Sequence, residues 1–260
     1  MKDAVRRAFL AFTSPLEGVV PWMYQDVKGL VSAGIGNLID PVSLAIALPF
    51  VRLDGTSASR EDIVAEWMRI KNLGPDAKGR TAAQLGHLYA KPHTRLRLTP
   101  EGIERVVMSK LEEMDRYLAK RFPEYPDWCA DAQLATLSMA WACGPAFRFP
   151  KLEAALRARD FRTAAVECFM PEEAKISGLR PRNIANRVLY QNAAIVQNCL
   201  DPERLFYPAD LESGPVDRDA PTLPAIPSRR PPVVSDFAVI HPPVPIRGFE
   251  EDDEPDPEAA

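Results

Sequence analysis

Two carboxylates near the start of the chain sit in unlike surroundings. In LEGVVPWMYQDVKGLVSAGIGNLID, which runs from Leu16 to Asp40, Glu17 lies within an apolar run, and Asp26 follows an aromatic cluster and precedes a glycine-rich turn. A carboxyl pair of this kind can divide the work of proton donor and proton acceptor if the chain folds the two across a cleft. Spacing by itself favours the plainer reading, two polar residues beside a turn.

Other chemistry finds less support. His87, His93 and His241 do not gather with acids or cysteines at ligand spacing, so no metal site and no cofactor is expected. Cys129, Cys143, Cys168 and Cys199 are widely spaced, without a CxxC pair, and are expected as buried thiols or bystanders in a chain made in a reducing cytosol, with a bridge after export as the alternative. No apolar run approaches the roughly 20 residues of a membrane helix. The apolar part of KDAVRRAFLAF is too short for a Sec-type signal, and none is expected.

The elements that must position the two acids follow from periodicity. Val5, Ala8, Phe9 and Phe12 recur at helical spacing and predict a first helix that delivers Glu17. Pro15 removes a backbone donor and predicts an interruption of that helix, accommodated by Ser14 as the cap of a separate turn. MYQDVKGLVSAGIGNL mixes β-formers with Gly29, Gly34 and Gly36 over too few residues for a helix, so a small hairpin or three-stranded sheet is expected to carry Asp26. Farther on, SASREDIVAEWMRIKNLG offers Ser59 as N-cap with Asp62 three residues later and Gly74 as a stop. LTPEGIERVVMSKLEEMDRYLAKRF has Thr99 as cap and Pro100 at the first helical position, with Ile103, Val106, Val107, Lys110, Leu111 and Met114 along one side. DAQLATLSMAWACG, LEAALRARDFRTAAVECF and PRNIANRVLYQNAAIVQNC read as helices as well. The expected class is α+β and mostly α, with a small β lobe and a larger helical lobe.

Charge divides the chain in two. Residues 1–200 hold 27 Lys/Arg against 22 Asp/Glu, while residues 201–260 hold 5 against 14 together with half of the prolines. Proline runs such as HPPVPIRGF and the close FEEDDEPDPEAA predict an extended or disordered tail, with the folded body ending near Asn198. The basic residues of the body are spread over several helices without an aromatic-basic motif, so a nucleic-acid partner is not expected. A net positive body does suit an anionic polymer.

The opening stretch also carries a resemblance. EG followed by YQDVKGLVSAGIGN resembles the signature of the bacteriophage-type lysozymes, muramidases whose pattern runs Glu-Gly, Tyr-x-Asp, Gly, then Thr-x-Gly-x-Gly-His. AQLATLSMAWACGPAF, LEAALRARDFRTAAVECF and GLRPRNIANRVLY follow in the order of the helical segments this family places after its hinge helix. The resemblance spans roughly residues 9–198. It implies a lysozyme-like catalytic domain over 1–200, with a β lobe at about 14–40, an expanded connection at about 41–97 that matches poorly, and a helical lobe at about 98–198. The Pro-rich acidic tail, 201–260, matches nothing in the family.

Carried over by position, the resemblance puts Glu17 at the catalytic glutamate, Asp26 at the aspartate and Ser32 at the threonine. Cleaving a glycosidic bond needs a proton for the leaving oxygen and a water for the anomeric carbon. Glu17, flanked by Leu16, Val19 and Val20, sits where desolvation favours the protonated acid. Asp26 would activate the water and Ser32 would hold it, an inverting arrangement with carboxyls roughly 6.5 to 9.5 Å apart. Arg182 is favoured slightly over Arg187 as the guanidinium that orients the glutamate. Gly36, Leu38 and Trp141 are the expected substrate contacts. Two departures matter: Asn37 stands in place of the family's histidine, with a structural effect expected, and Ala142 in place of an amide puts one sugar contact in doubt. Trp22, Tyr24 and Trp128 are expected mainly as core aromatics.

The resemblance implies a bacteriolytic glycoside hydrolase acting on peptidoglycan glycan strands in the periplasm or cell wall of a target or host bacterium. The alternatives are an inactive lysozyme-like binding module and a lytic transglycosylase. Without a signal, delivery would be that of a phage endolysin or of an antibacterial effector, with the tail engaging a secretion-machine carrier or an immunity protein.

Overall fold

The computed structural model describes residues 1–171 and 179–212 of the 260. It is mostly helical, with a small antiparallel sheet near the start. Helix α1 (Asp3–Glu17) buries Val5, Phe9 and Phe12 on one side. It runs unbroken through Pro15, against the expected interruption. Phe9 packs on Trp141 with ring centres 5.2 Å apart, and Phe12 meets Tyr207 edge-on at 5.4 Å, so tertiary packing outweighs the one lost backbone bond. Ser14 does not cap a new turn. Its hydroxyl donates to the Leu10 carbonyl (2.6 Å), and its own carbonyl takes the Gly18 N–H at 2.9 Å.

Gly18, at φ 76°, turns the chain out of α1 into β1 (Val20–Gln25). β1 pairs with β2 (Val31–Gly34), and β2 with β3 (Asn37–Leu38), all antiparallel. Tyr24 lies opposite Ser32 and Ser32 opposite Leu38, so these three share one face. The other face turns toward helix α3 (Arg60–Lys71), where Gln25 Nε2 donates to the Ile70 and Lys71 carbonyls at 2.8 and 3.0 Å.

The expanded connection, 41–97, forms a folded module. It holds α2 (Val42–Ile46), β4 (Phe50–Arg52), α3 and α4 (Ala82–Ala90), and leads into β5 (Leu96–Leu98), which pairs with β4. Phe50, Ile63, Trp67, Ile70, Leu96 and Leu98 are buried within it. Ser59 caps α3 reciprocally with Asp62 as expected, but the helix stops at Asn72, before Gly74. Trp22 Nε1 donates to the His87 carbonyl on α4 (2.9 Å), and Trp67 Nε1 to that of Ile39 (2.8 Å), so this module packs against the sheet.

Helix α5 (Pro100–Arg121) opens on Thr99, whose hydroxyl accepts the Gly102 N–H at 3.0 Å. It leads to α6 (Ala130–Cys143), buried at every position from Ala130 to Ala142. Around α6 lie α1, α5 and α9 (Leu179–Cys199), with α7 (Pro150–Arg157) and α8 (Phe161–Glu167) continuing the lobe. Trp128 is core, enclosed by Phe122, Tyr125 and Phe161.

The folded body continues past the expected end near Asn198. Phe206 is buried, and the Asp131 carboxylate at the start of α6 accepts the N–H groups of Phe206 and Tyr207, both at 3.0 Å. Residues 201–212 are therefore part of the packed domain. The extended tail expected beyond them falls on 213–260, outside the described residues. Among the described residues no helix is long and apolar enough to cross a membrane.

Candidate active site

Glu17 is the last residue of α1, and its side chain is 7% exposed. Its Oε1 is paired with Arg182 of α9, which is itself 1% exposed. The other Arg182 nitrogen, Nη1, donates to the Ser138 carbonyl (3.2 Å) and hydroxyl (3.0 Å) on α6, so three helices fix the guanidinium. Arg187 is exposed and takes no part. Burial raises the proton affinity of Glu17 above that of an ordinary glutamate, against the attraction of Arg182 and then Lys110.

Asp26 begins the turn that joins β1 to β2 and is 4% exposed. Its Oδ1 accepts the N–H groups of Lys28 (2.8 Å) and Leu30 (2.9 Å), and its backbone takes part in two further turn bonds, to Leu30 and Gly29. Lys71 anchors the same turn through the Gly29 carbonyl at 3.0 Å and pairs with Asp40 at 2.6 Å. Oδ2 accepts no hydrogen bond among the described residues. Gly29 stands at φ 72°, which the turn requires.

Tyr24 stands two residues before Asp26, near the end of β1. Its phenol is buried and held above its ordinary range by that burial, then by the charge of Asp26 and that of Glu17. Ser32 lies opposite Tyr24 and is 5% exposed, with its hydroxyl free of hydrogen bonds among the described residues. Leu38, half-buried, follows in the same row, and Gly36 takes φ 64° in the adjoining turn. Asn37 fills a structural role there, its Oδ1 accepting the Ile35 N–H at 3.2 Å.

The structure thus joins Glu17 to Arg182 by the ion pair, and sets Ser32 between Tyr24 and Leu38 in the sheet, with Gly36 in the adjoining turn. Trp141 differs from its expected place on a cleft wall. It is 2% exposed, with Phe9 against its ring and Lys110 Nζ 4.9 Å from the ring centre, so it supports the site from within. Ala142 is also buried. Two residues were not singled out by sequence reasoning for this site: Ser138 and Lys110. The signal for Lys110 was present, a lysine on the apolar side of α5.

Cys129 and Cys168 are buried thiols and Cys143 is exposed; all three are free. A separate cavity of about 410 Å³ opens between β4 and the starts of α3 and α5, where Phe50, Arg60, Thr99 and Arg105 line it. None of the candidate site residues reaches it.

No protein-family model matches the chain, and no curated protein matches it.

Proposed function

We propose that this protein is a peptidoglycan hydrolase, an N-acetylmuramidase similar to the bacteriophage-type lysozymes, with a lysozyme-like arrangement of its β and helical lobes. It would cut the β-1,4 bond between N-acetylmuramic acid and N-acetylglucosamine. The observation that carries this reading is Glu17, a buried carboxyl of raised proton affinity at a helix end, held by a buried arginine that Ser138 fixes in turn. In the proposed reaction Glu17 gives its proton to the glycosidic oxygen as the bond to the anomeric carbon breaks. Asp26 takes a proton from a water that the Ser32 hydroxyl steadies, and that water adds to the anomeric carbon with inversion. The free Oδ2 of Asp26 and the unengaged Ser32 hydroxyl favour hydrolysis over transglycosylation, which adds no water.

Digestion of purified peptidoglycan followed by mass analysis of the products tests this. Free reducing ends from the wild type, and none from Glu17→Gln, are expected. Products ending in 1,6-anhydro sugars would point to a transglycosylase. Turnover that persists in Glu17→Gln removes Glu17 as the acid, and a wild type inert across pH and salt favours a binding module. For delivery, the proposal is an effector or endolysin whose residues 213–260 engage a carrier or an immunity protein. Deletions that test it must begin after Glu212, because Phe206 belongs to the core.

A further inference from the structure

The cavity of about 410 Å³ between β4 and the starts of α3 and α5 takes no part in the candidate site. Most of its wall comes from the module 41–97, the part of the chain that matches the resembled family poorly, and the rest from the first turns of α5. Gly102 lets that wall close, since a Cβ there would stand 3.3 Å from Pro49 Cγ. Phe50 and Ile63 are buried at its floor, with Leu48, Pro49 and Val51 half-buried around them. The volume falls within the range of about 300–1,000 Å³ common to ligand pockets.

The charge on its lining has one sign. Arg60 opens α3 and Arg105 lies on the second turn of α5; both are exposed, and neither makes a hydrogen bond or an ion pair with a described residue. No acid among the described residues lines the cavity. Nearby acids on the same helices have other partners: Asp62 is bound by Arg52, and Glu61 and Glu101 by their own N–H groups and by the cap hydroxyls of Ser59 and Thr99. Glu104, exposed, precedes Arg105. Two guanidinium forks beside an apolar floor suit carboxylates attached to an apolar group.

The chain carries such a segment itself. Residues 213–260, outside the described residues, hold two aromatic side chains, Phe237 and Phe249. Phe237 adjoins one acid, Asp236, whereas Phe249 is followed without a break by Glu250, Glu251, Asp252, Asp253 and Glu254. Phe249 stands 37 positions after Glu212, a span of up to roughly 120 Å, against a radius of gyration of about 17 Å for the 212 residues before it. Every face of the body is within reach.

We propose that the cavity is the docking site of residues 249–254 of this same chain: the Phe249 ring enters against Phe50 and Ile63, and the acids that follow it meet Arg60 and Arg105. The inference goes beyond the hydrolase reading and does not depend on it. The aromatic anchor supplies most of the affinity of such a contact, and the rim charges set its orientation and on-rate. Because the tether makes the contact intramolecular, a modest intrinsic affinity suffices to populate it.

The test uses the full-length chain, dilute, with the photoreactive benzoylphenylalanine in place of Phe249, and mass analysis of the cross-linked peptides. Cross-links are expected within one chain, to residues 46–63 and 99–105. Their yield is expected to fall about tenfold in the double variant Arg60→Glu, Arg105→Glu and at about 1 M salt, where the Debye length is about 3 Å. Tryptophan fluorescence verifies that the double variant is folded. Methyl NMR of Ile63 in the otherwise unmodified chain gives a second reading: its resonance is expected to shift in Phe249→Ala and to stay in Phe237→Ala. Cross-links that are absent, that fall on other elements or that survive in the folded double variant overturn the proposal, as does an Ile63 methyl indifferent to Phe249→Ala. Cross-links between chains overturn it in favour of a second copy as the host.

Discussion

Arg182 meets Glu17 across 165 residues of sequence, with both side chains withdrawn from solvent. The pair is unequal in one respect: a carboxylate can shed its charge by taking a proton, and a guanidinium cannot. Arg182→Met therefore leaves a partner able to neutralise itself. Glu17 already titrates above an ordinary glutamate, and without Arg182 it would go higher still. The cost of the stranded carboxylate is present above that folded value and is lost as pH falls through it. Urea unfolding should show a deficit of about 3–5 kcal/mol at pH 7 that shrinks under acid conditions. An equal deficit at both would contradict this account.

Ser32 is the member of the site that can be changed most quietly. Ser32→Thr keeps the hydroxyl and should retain turnover. Under the proposed mechanism, Ser32→Ala should retain the fold and lose about ten- to a hundredfold in kcat, because the attacking water would lose one support. Wild-type kcat in Ser32→Ala would remove the hydroxyl from the mechanism.

Asp131 holds the segment after α9. Its Oδ1 accepts from Tyr207 and Asn192, and its Oδ2 from Phe206. Burial pushes this carboxyl up from 3.8 to about 6, against those hydrogen bonds. The folded state thus binds a proton more readily than the unfolded state, and the cost of the buried charge is relieved as pH falls from about 6 toward 3.8. Asp131→Asn loses an acceptor, at about 1–3 kcal/mol, and should speed amide exchange at Phe206 and Tyr207. The gap to the wild type should widen by about 1 kcal/mol between pH 7 and 5, because only the wild type gains from protonation.

Gly34 stands at φ 68°, and a Cβ there would lie 3.1 Å from Asn37 Oδ1. Gly34→Ala should cost about 1–2 kcal/mol from backbone conformation alone and disturb the turn beside Ser32. Gly74→Ala is the control: no positive φ is required there, and nothing lies within 4 Å. Thermal unfolding of the two variants separates a conformational requirement from a general intolerance of substitution.

Local chemistry made much of the scaffold legible. The Ser59–Asp62 capping box, the Thr99-Pro100 start of α5 and the glycine-punctuated sheet each satisfy their backbone groups within a few residues. What could not be read depended on distant partners. Pro15 signals a break to any local rule, yet α1 continues through it, packed by Phe9 on Trp141 and by Phe12 on Tyr207. Arg182 and Arg187 were nearly equivalent in sequence, and the rotation of α9 against α1 and α6 separates them. Segment 41–97 lacked a matching pattern because its strands are three residues each and pair across an intervening helical module. Asp131 looked like an ordinary first-turn acid, yet its acceptors serve amides some 75 positions later.

The two ends of the folded body supply the two halves of one ion pair, Glu17 from the first helix and Arg182 from the last. During synthesis the glutamate emerges early, and its guanidinium is among the last parts of the domain to leave the ribosome. A chain that ends before α9 cannot complete the glutamate's surroundings. The ion pair therefore forms only in molecules translated through α9.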